Sequence, residues 1–159
     1  LEVGGEGDLE VRGPTVMTGY LHRPEATREA LREDGWLRTK DLGRLDARGR
    51  LTVLARRTDL ILRGGENIYP AEVEGVLADH PSVREVAVVG LADAHWGEVP
   101  VAFVVPRGEW ATPEALGTWC RARLAGFKLP ARFIFLDALP RNALGKVERA
   151  VLRQRAAAP

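Results

Sequence analysis

Arg56-Arg57-Thr58-Asp59-Leu60-Ile61-Leu62-Arg63-Gly64-Gly65-Glu66-Asn67-Ile68-Tyr69-Pro70-Ala71-Glu72-Val73-Glu74 divides the chain into two kinds of pattern. Upstream of Asp59, glycines and Pro14 cut the sequence into short strand-like pieces, Leu9–Val11 and Thr15–Met17. Two further strands are expected at Gly43–Asp46 and Arg50–Leu54, with Asp46-Ala47-Arg48-Gly49 as the hairpin turn between them. Pro24–Leu31 reads as one short helix. Downstream of Asp59, strands alternate with helices. Leu60–Leu62 reads as a short strand. Pro70–Asp79 reads as a helix, with Pro70 in its first turn and Val73, Val76 and Leu77 on one face. Val83–Leu91 and Val99–Val105 are nearly continuous apolar runs, expected as buried strands. Thr112–Leu124 is amphipathic, with Thr112 as cap and Pro113 opening the first turn. Arg132–Leu136 gives a third strand and Val147–Gln154 a terminal helix. The expectation is an α+β fold: a β-rich segment over 1–58, then a small domain over 59–159 with a three-stranded sheet and flanking helices.

Composition narrows the function classes. The chain has 159 residues, of which 45% are hydrophobic and 28% charged, a globular profile. Lys and Arg together number 23 against 22 Asp and Glu, so charge gives no reason to invoke nucleic acid or an anionic membrane. Arg149, Arg153 and Arg155 read as a solvated helix face. The single cysteine, Cys120, excludes a disulfide within the chain and a cysteine-based zinc site, and reads as a packing residue. His22, His80 and His95 lack metal-ligand spacing, and no metal site is expected from this chain. No apolar run approaches the roughly 20 residues of a membrane span. With no signal peptide in view, a cytoplasmic location is expected. The chain starts at Leu1 and its only Met is Met17, so it reads as a piece of a longer protein.

Several runs carry chemistry, each with a plainer alternative. Leu139-Pro140-Arg141-Asn142-Ala143-Leu144-Gly145-Lys146 is a tight loop ending in a Lys, a compact cation on a flexible stem that can reach an anion; alternatively it is an exposed turn. Trp36-Leu37-Arg38-Thr39-Lys40-Asp41 ends in a carboxylate able to accept from both hydroxyls of a diol, or in a solvated turn Asp. Ala55-Arg56-Arg57-Thr58-Asp59 is either a functional strand end or a merely charged one. Gly64-Gly65 lets backbone approach another surface closely, or only turns the chain toward the helix at Pro70. Asp93-Ala94-His95-Trp96-Gly97-Glu98 reads as a structural turn between two strands. A Gly-rich Walker-type phosphate loop is absent.

In this order and at these separations, the runs resemble the C-terminal portion of the adenylate-forming enzymes: acyl-CoA synthetases, luciferases and the adenylation domains of peptide synthetases. The resemblance covers essentially the whole chain. It implies that residues 1–58 end a large AMP-binding domain and that 59–159 form a small mobile domain. Asp41 is implied as the ribose contact, Arg56 as a nucleotide contact and Asp59 as the hinge. Gly64 and Gly65 are implied in the pantetheine tunnel, and Lys146 as the catalytic lysine of adenylation. The chain departs from the family at Lys40 and Ala55, where Gly is usual. ATP, CoA and a carboxylic acid are the implied substrates, with Mg²⁺ held mainly by sequence upstream of Leu1. Gly-Gly-Glu-Asn-Ile-Tyr-Pro looks more like acyl-CoA ligases than peptide-synthetase adenylation domains, and o-succinylbenzoate–CoA and medium- or long-chain fatty acyl-CoA ligases are the members the resemblance favours. A carrier-loading adenylation domain and a non-catalytic module of the same fold are the alternatives. By itself the chain is expected to be inactive, and exposed strand edges ahead of Asp59 make a homodimer one expected assembly.

Overall fold

The computed structural model describes residues 5–108 and 111–157. They divide into two compact units, Leu1–Thr58 and Asp59–Pro159. The first unit holds β1 (Glu6–Val11), α1 (Pro24–Ala30), β2 (Leu37–Leu45) and β3 (Leu51–Arg56). Its strands form one antiparallel sheet in the order β1-β2-β3. The expected hairpin turn joins β2 to β3: the Asp46 amide donates to the Arg50 carbonyl (3.0 Å) and the Gly49 amide to the Asp46 carbonyl (2.9 Å). Gly49 turns there at a φ of +74°. The Asp46 carboxylate accepts from the Arg50 amide, the Arg50 guanidinium and the Arg48 amide, which hold its pKa below the ordinary value. Thr15–Met17 is not a strand. Gly13-Pro14 starts a turn closed by Val16 N–H to Gly13 C=O at 3.1 Å, and proline suits the second position of such a turn.

The second unit holds β4 (Ile61–Arg63), β5 (Glu66–Ile68), α2 (Pro70–Ala78), β6 (Val83–Asp93), β7 (Gly97–Pro106), α3 (Pro113–Arg121), β8 (Arg132–Phe135) and α4 (Arg149–Ala157). Its sheet has five strands, ordered β5-β4-β7-β6, with β8 running parallel to β7. The three-stranded expectation is corrected to five, because Ile61–Arg63 joins the sheet through β7 and Glu66–Ile68 folds back on it as a tight hairpin. A three-residue strand is too short to show a period of two, which is why β5 has no signal of its own.

The apolar runs of β6 and β7 split by residue parity. Val88, Ala102 and Val104 face one core, with Val73 and Leu77 of α2 and Leu116 and Cys120 of α3. Ala87, Val89, Val101, Phe103 and Val105 face the other, with Leu139, and Leu152 and Ala156 of α4. Alternate side chains on a strand point to opposite faces, so helices on both sides require apolar residues at every position. The Thr112 hydroxyl caps α3, accepting from the Ala115 amide at 3.2 Å.

Candidate functional site

In the first unit, β2 and β3 place Asp41 directly across from Arg56. Arg56 Nε donates to Asp41 Oδ1 at 3.1 Å. Thr39 fixes the approach: its hydroxyl donates to the Leu9 carbonyl (2.9 Å) and accepts from the Asp41 amide (3.1 Å). Lys40, between them, has a φ of +63°. That left-handed conformation costs a non-glycine residue about 1–2 kcal/mol. Lys40 adopts the conformation a glycine would favour, so the departure at this position leaves the turn in place. The Lys40 ammonium bonds Glu29 at 2.6 Å, which lowers the Glu29 pKa. A cleft of about 360 Å³ opens beside this corner, lined by Tyr20, Arg23, Glu29, Arg38, Lys40 and Arg56 among others. Its cations outnumber its one carboxylate.

In the second unit, Gly64 and Gly65 form the two-residue turn of the β4–β5 hairpin, both at positive φ (+58° and +89°). A side chain at Gly64 would meet the Trp96 ring at 3.0 Å, whereas at Gly65 the space is open. The Gly64 amide donates to the Trp96 carbonyl at 2.8 Å, and the Arg63 guanidinium lies 5.2 Å from the centre of the Trp96 ring. Trp96 is seated by Asp93, whose carboxylate accepts from the Trp96 (2.8 Å) and His95 (2.9 Å) amides. These bonds depress the Asp93 pKa. The Asp93–Glu98 run is therefore the structural turn its sequence suggests.

Asp59 opens the second unit and is tied to α4. Its carboxylate lies 3.2 Å from Arg153 Nη2 and 3.6 Å from Arg149 Nε. Arg149 also bonds Glu74 of α2 at 2.7 Å and the Val88 carbonyl at 2.6 Å, while Glu74 accepts from the Val88 amide at 2.8 Å. β6 is an edge strand, and this ion pair satisfies the outward peptide groups of Val88. Burial works against the Arg149 charge, but Glu74 and Asp59 outweigh it and raise its pKa. The expectation of a solvated face is corrected here. Arg149 is half-buried at the centre of a network, because α4 turns its first residue onto the sheet edge rather than to water.

Lys146 ends the exposed loop before α4. Among the described residues, no hydrogen bond or ion pair holds its ammonium. The backbone beneath it is closed: Asn142 N–H donates to the Lys146 carbonyl at 2.9 Å, and Gly145, at a φ of +77°, donates to the Asn142 carbonyl at 2.9 Å. Sequence reasoning singled out Lys146 but missed Asn142, whose short polar side chain four residues upstream was the available signal. Cys120 is fully buried, and desolvation pushes its thiol pKa up, so it is a packing residue.

The structure thus brings Asp41 and Arg56 together in one unit, and links Asp59 to the start of the helix that follows Lys146 in the other. Residues 72–146 match the model of the AMP-binding enzyme C-terminal domain. The chain is 54% identical over 149 residues to a 2-succinylbenzoate–CoA ligase of Bacillus cereus, covering 94% of this chain and 31% of that protein. Among solved structures, it is similar to the o-succinylbenzoate CoA synthetase MenE of Bacillus subtilis in complex with the acyl-adenylate intermediate (TM-score 0.89, 46% identity, 100% of this chain and 32% of that one). ATP-bound MatB of Rhodopseudomonas palustris aligns with a TM-score of 0.91 at 41% identity, over 98% of this chain and 31% of that one. The chain spans about a third of the length of the curated relatives it matches. Residues 72–146 thus carry the AMP-binding enzyme C-terminal domain, and the chain as a whole is similar to the C-terminal portion of 2-succinylbenzoate–CoA ligases.

Proposed function

We propose that this chain supplies the C-terminal part of an ATP-dependent carboxylate–CoA ligase whose acid is 2-succinylbenzoate. The observation that carries this reading is its 54% identity to a 2-succinylbenzoate–CoA ligase. In the first half-reaction a carboxylate oxygen attacks the α-phosphorus of ATP and pyrophosphate leaves. In the second, the CoA sulfur attacks the acyl carbon and AMP leaves. The route splits one difficult acyl transfer into two easier steps.

Each candidate residue has a role in that sequence. Asp41 accepts from the ribose hydroxyls, and its single bond to Arg56 Nε leaves acceptor capacity for them. Arg56 contacts the nucleotide. The Lys146 ammonium stabilises charge that grows between carboxylate and α-phosphate. Residues 1–58 end the nucleotide-binding domain, and 59–159 turn about Asp59 between half-reactions. The Gly64-Gly65 turn then presents the open side of Gly65 to the pantetheine arm of CoA. Among the described residues, no three His, Cys, Asp or Glu side chains gather into a metal site. The Mg²⁺ that neutralises ATP phosphates would be held by the nucleotide and by residues outside this set.

The test uses the full-length enzyme with ATP, CoA and a panel of acids. 2-Succinylbenzoate should give the fastest pyrophosphate release and thioester formation. A fatty-acid preference would replace the acid assignment, and silence with every acid would remove the ligase reading. Lys146→Ala should slow adenylation by roughly 10²-fold, the scale of losing one preorganised donor. Thioester formation from supplied acyl-adenylate should survive, and equal loss of both steps would count against Lys146.

A further inference from the structure

We infer that Asn142, supported by Arg141 and Glu85, is a positioning residue for Lys146. This rests on the adenylation role proposed for that lysine. Asn142 Oδ1 accepts two amides, from Leu144 and from Lys146 itself, each at 3.0 Å. The side chain therefore takes hold of the backbone of the residue whose ammonium must be aimed. Arg141 closes the loop from the other side. Its Nη1 donates to the Gly145 carbonyl at 2.7 Å, and its Nη2 bonds Glu85 on β6. One planar guanidinium fork thus ties the peptide just before Lys146 to the sheet, a bridge that a lysine's single ammonium cannot reproduce in the same geometry.

Folding alone gives this clamp little reason to exist. The loop is exposed from Arg141 to Lys146, and Leu144 at its tip is 92% exposed. Its flanks are already fixed, because Leu139 and Leu152 lie in one core. The bonded amides of Leu144, Gly145 and Lys146 contrast with an ammonium that has no partner among the described residues. A long side chain has little orientation of its own, so the accuracy of its charge depends on where its Cα is held. Preorganised donors stabilise a transition state because they need not reorganise during reaction, and a 1 Å displacement of such a group can cost about 10²-fold.

The decisive measurement separates the two half-reactions in the full-length enzyme. Asn142→Ala should lower the rate of pyrophosphate release by roughly 10-fold, within the range for a misplaced group. Acyl transfer from supplied acyl-adenylate to CoA should stay near wild type. Asn142→Asp keeps an acceptor oxygen and should restore most of the adenylation rate. Arg141→Lys should give a smaller loss in the same half-reaction. In the second unit, amide exchange at Leu144 and Lys146 should quicken in Asn142→Ala, with Leu152 unchanged. Wild-type adenylation by Asn142→Ala, while Lys146→Ala is slow, overturns this inference and leaves the lysine's role standing. Parallel loss of both half-reactions, or unchanged exchange at Lys146, also overturns it. Wild-type adenylation by Lys146→Ala removes the role on which it rests.

Discussion

The two units of this chain are held together by different forces. Of the buried apolar residues among those described, only Ala30 and Leu42 lie before Asp59, and neither is fully buried; Phe103, Ile61, Leu77, Leu116, Leu152 and the rest lie after it. Each such side chain contributes about 1.5–3 kcal/mol on burial, so the second unit has a core and the first has almost none. The first unit instead exposes Val11, Tyr20, Leu21, Leu51 and Val53. It relies on surface pairs such as Arg57–Asp8 (2.7 Å) and Arg50–Asp46 (2.7 Å), which are individually weak. The second unit also has surface pairs, but it places Glu74 and Arg149 where they satisfy the peptide groups of buried Val88. The lesson is that a sheet with one apolar face left uncovered is an incomplete folding unit, whereas a sheet covered on both faces is a complete one.

Separating the units is the harshest test of that contrast. Residues 59–159 alone should unfold cooperatively by circular dichroism. Residues 1–58 alone should show no cooperative transition, or should pair through their exposed strand edges. A sharp monomeric transition for 1–58 would break the comparison.

The next effect is smaller. Arg149→Ala should destabilise the second unit by roughly 2 kcal/mol, because it strands Glu74, Asp59 and the Val88 carbonyl together. Arg57→Ala, which removes an exposed pair, should cost under about 1 kcal/mol. Denaturant midpoints of the two variants would compare them, and equal shifts would mean that the two kinds of pair do not differ.

Acid should act in the same order. The Asp46 pKa is lowered by the Arg50 amide and side chain, and that of Asp93 by the Trp96 and His95 amides, both from an ordinary 3.8. A depressed carboxylate contributes its full stabilisation above the unfolded value and loses it as the pH falls through the folded one. Both turns should therefore weaken below about pH 4. The first unit, with no core in reserve, should lose its amide-resonance dispersion at a higher pH than the second. One shared midpoint would show the units to be coupled.

Lys40 offers the finest adjustment. Lys40→Gly relieves the left-handed backbone but frees the unfolded chain, for a net stabilisation under about 1 kcal/mol. Both variants lose the Glu29 contact, but Lys40→Ala also keeps the backbone cost, so it should be the less stable of the two in a urea melt.

Much of this was legible in the chain. Breakers, caps and apolar runs marked α1, α2, α3, β6, β7 and β8 because their signals lie within a few residues of one another. Asp41, Arg56, Gly64, Gly65, Asp59 and Lys146 could likewise be singled out from local motifs. The short β5, the parallel pairing of β8 with β7 and the turn at Gly13–Val16 were not legible as such. Their geometry depends on neighbours or on too few residues to show a period.

By itself, then, the sequence determined the presence of the longer helices and strands of the second unit, their apolar runs and the motifs that carry charge. Only the tertiary structure decided that Arg149 leaves the solvated face to bond Glu74, 75 residues away. It also decided that Arg141 reaches Glu85 across 56 residues, and that Lys40 holds a glycine's conformation. The physical reason is common to all three. A charge or a strained φ is placed by the partners that compensate it, and those partners meet only when the sheet has closed.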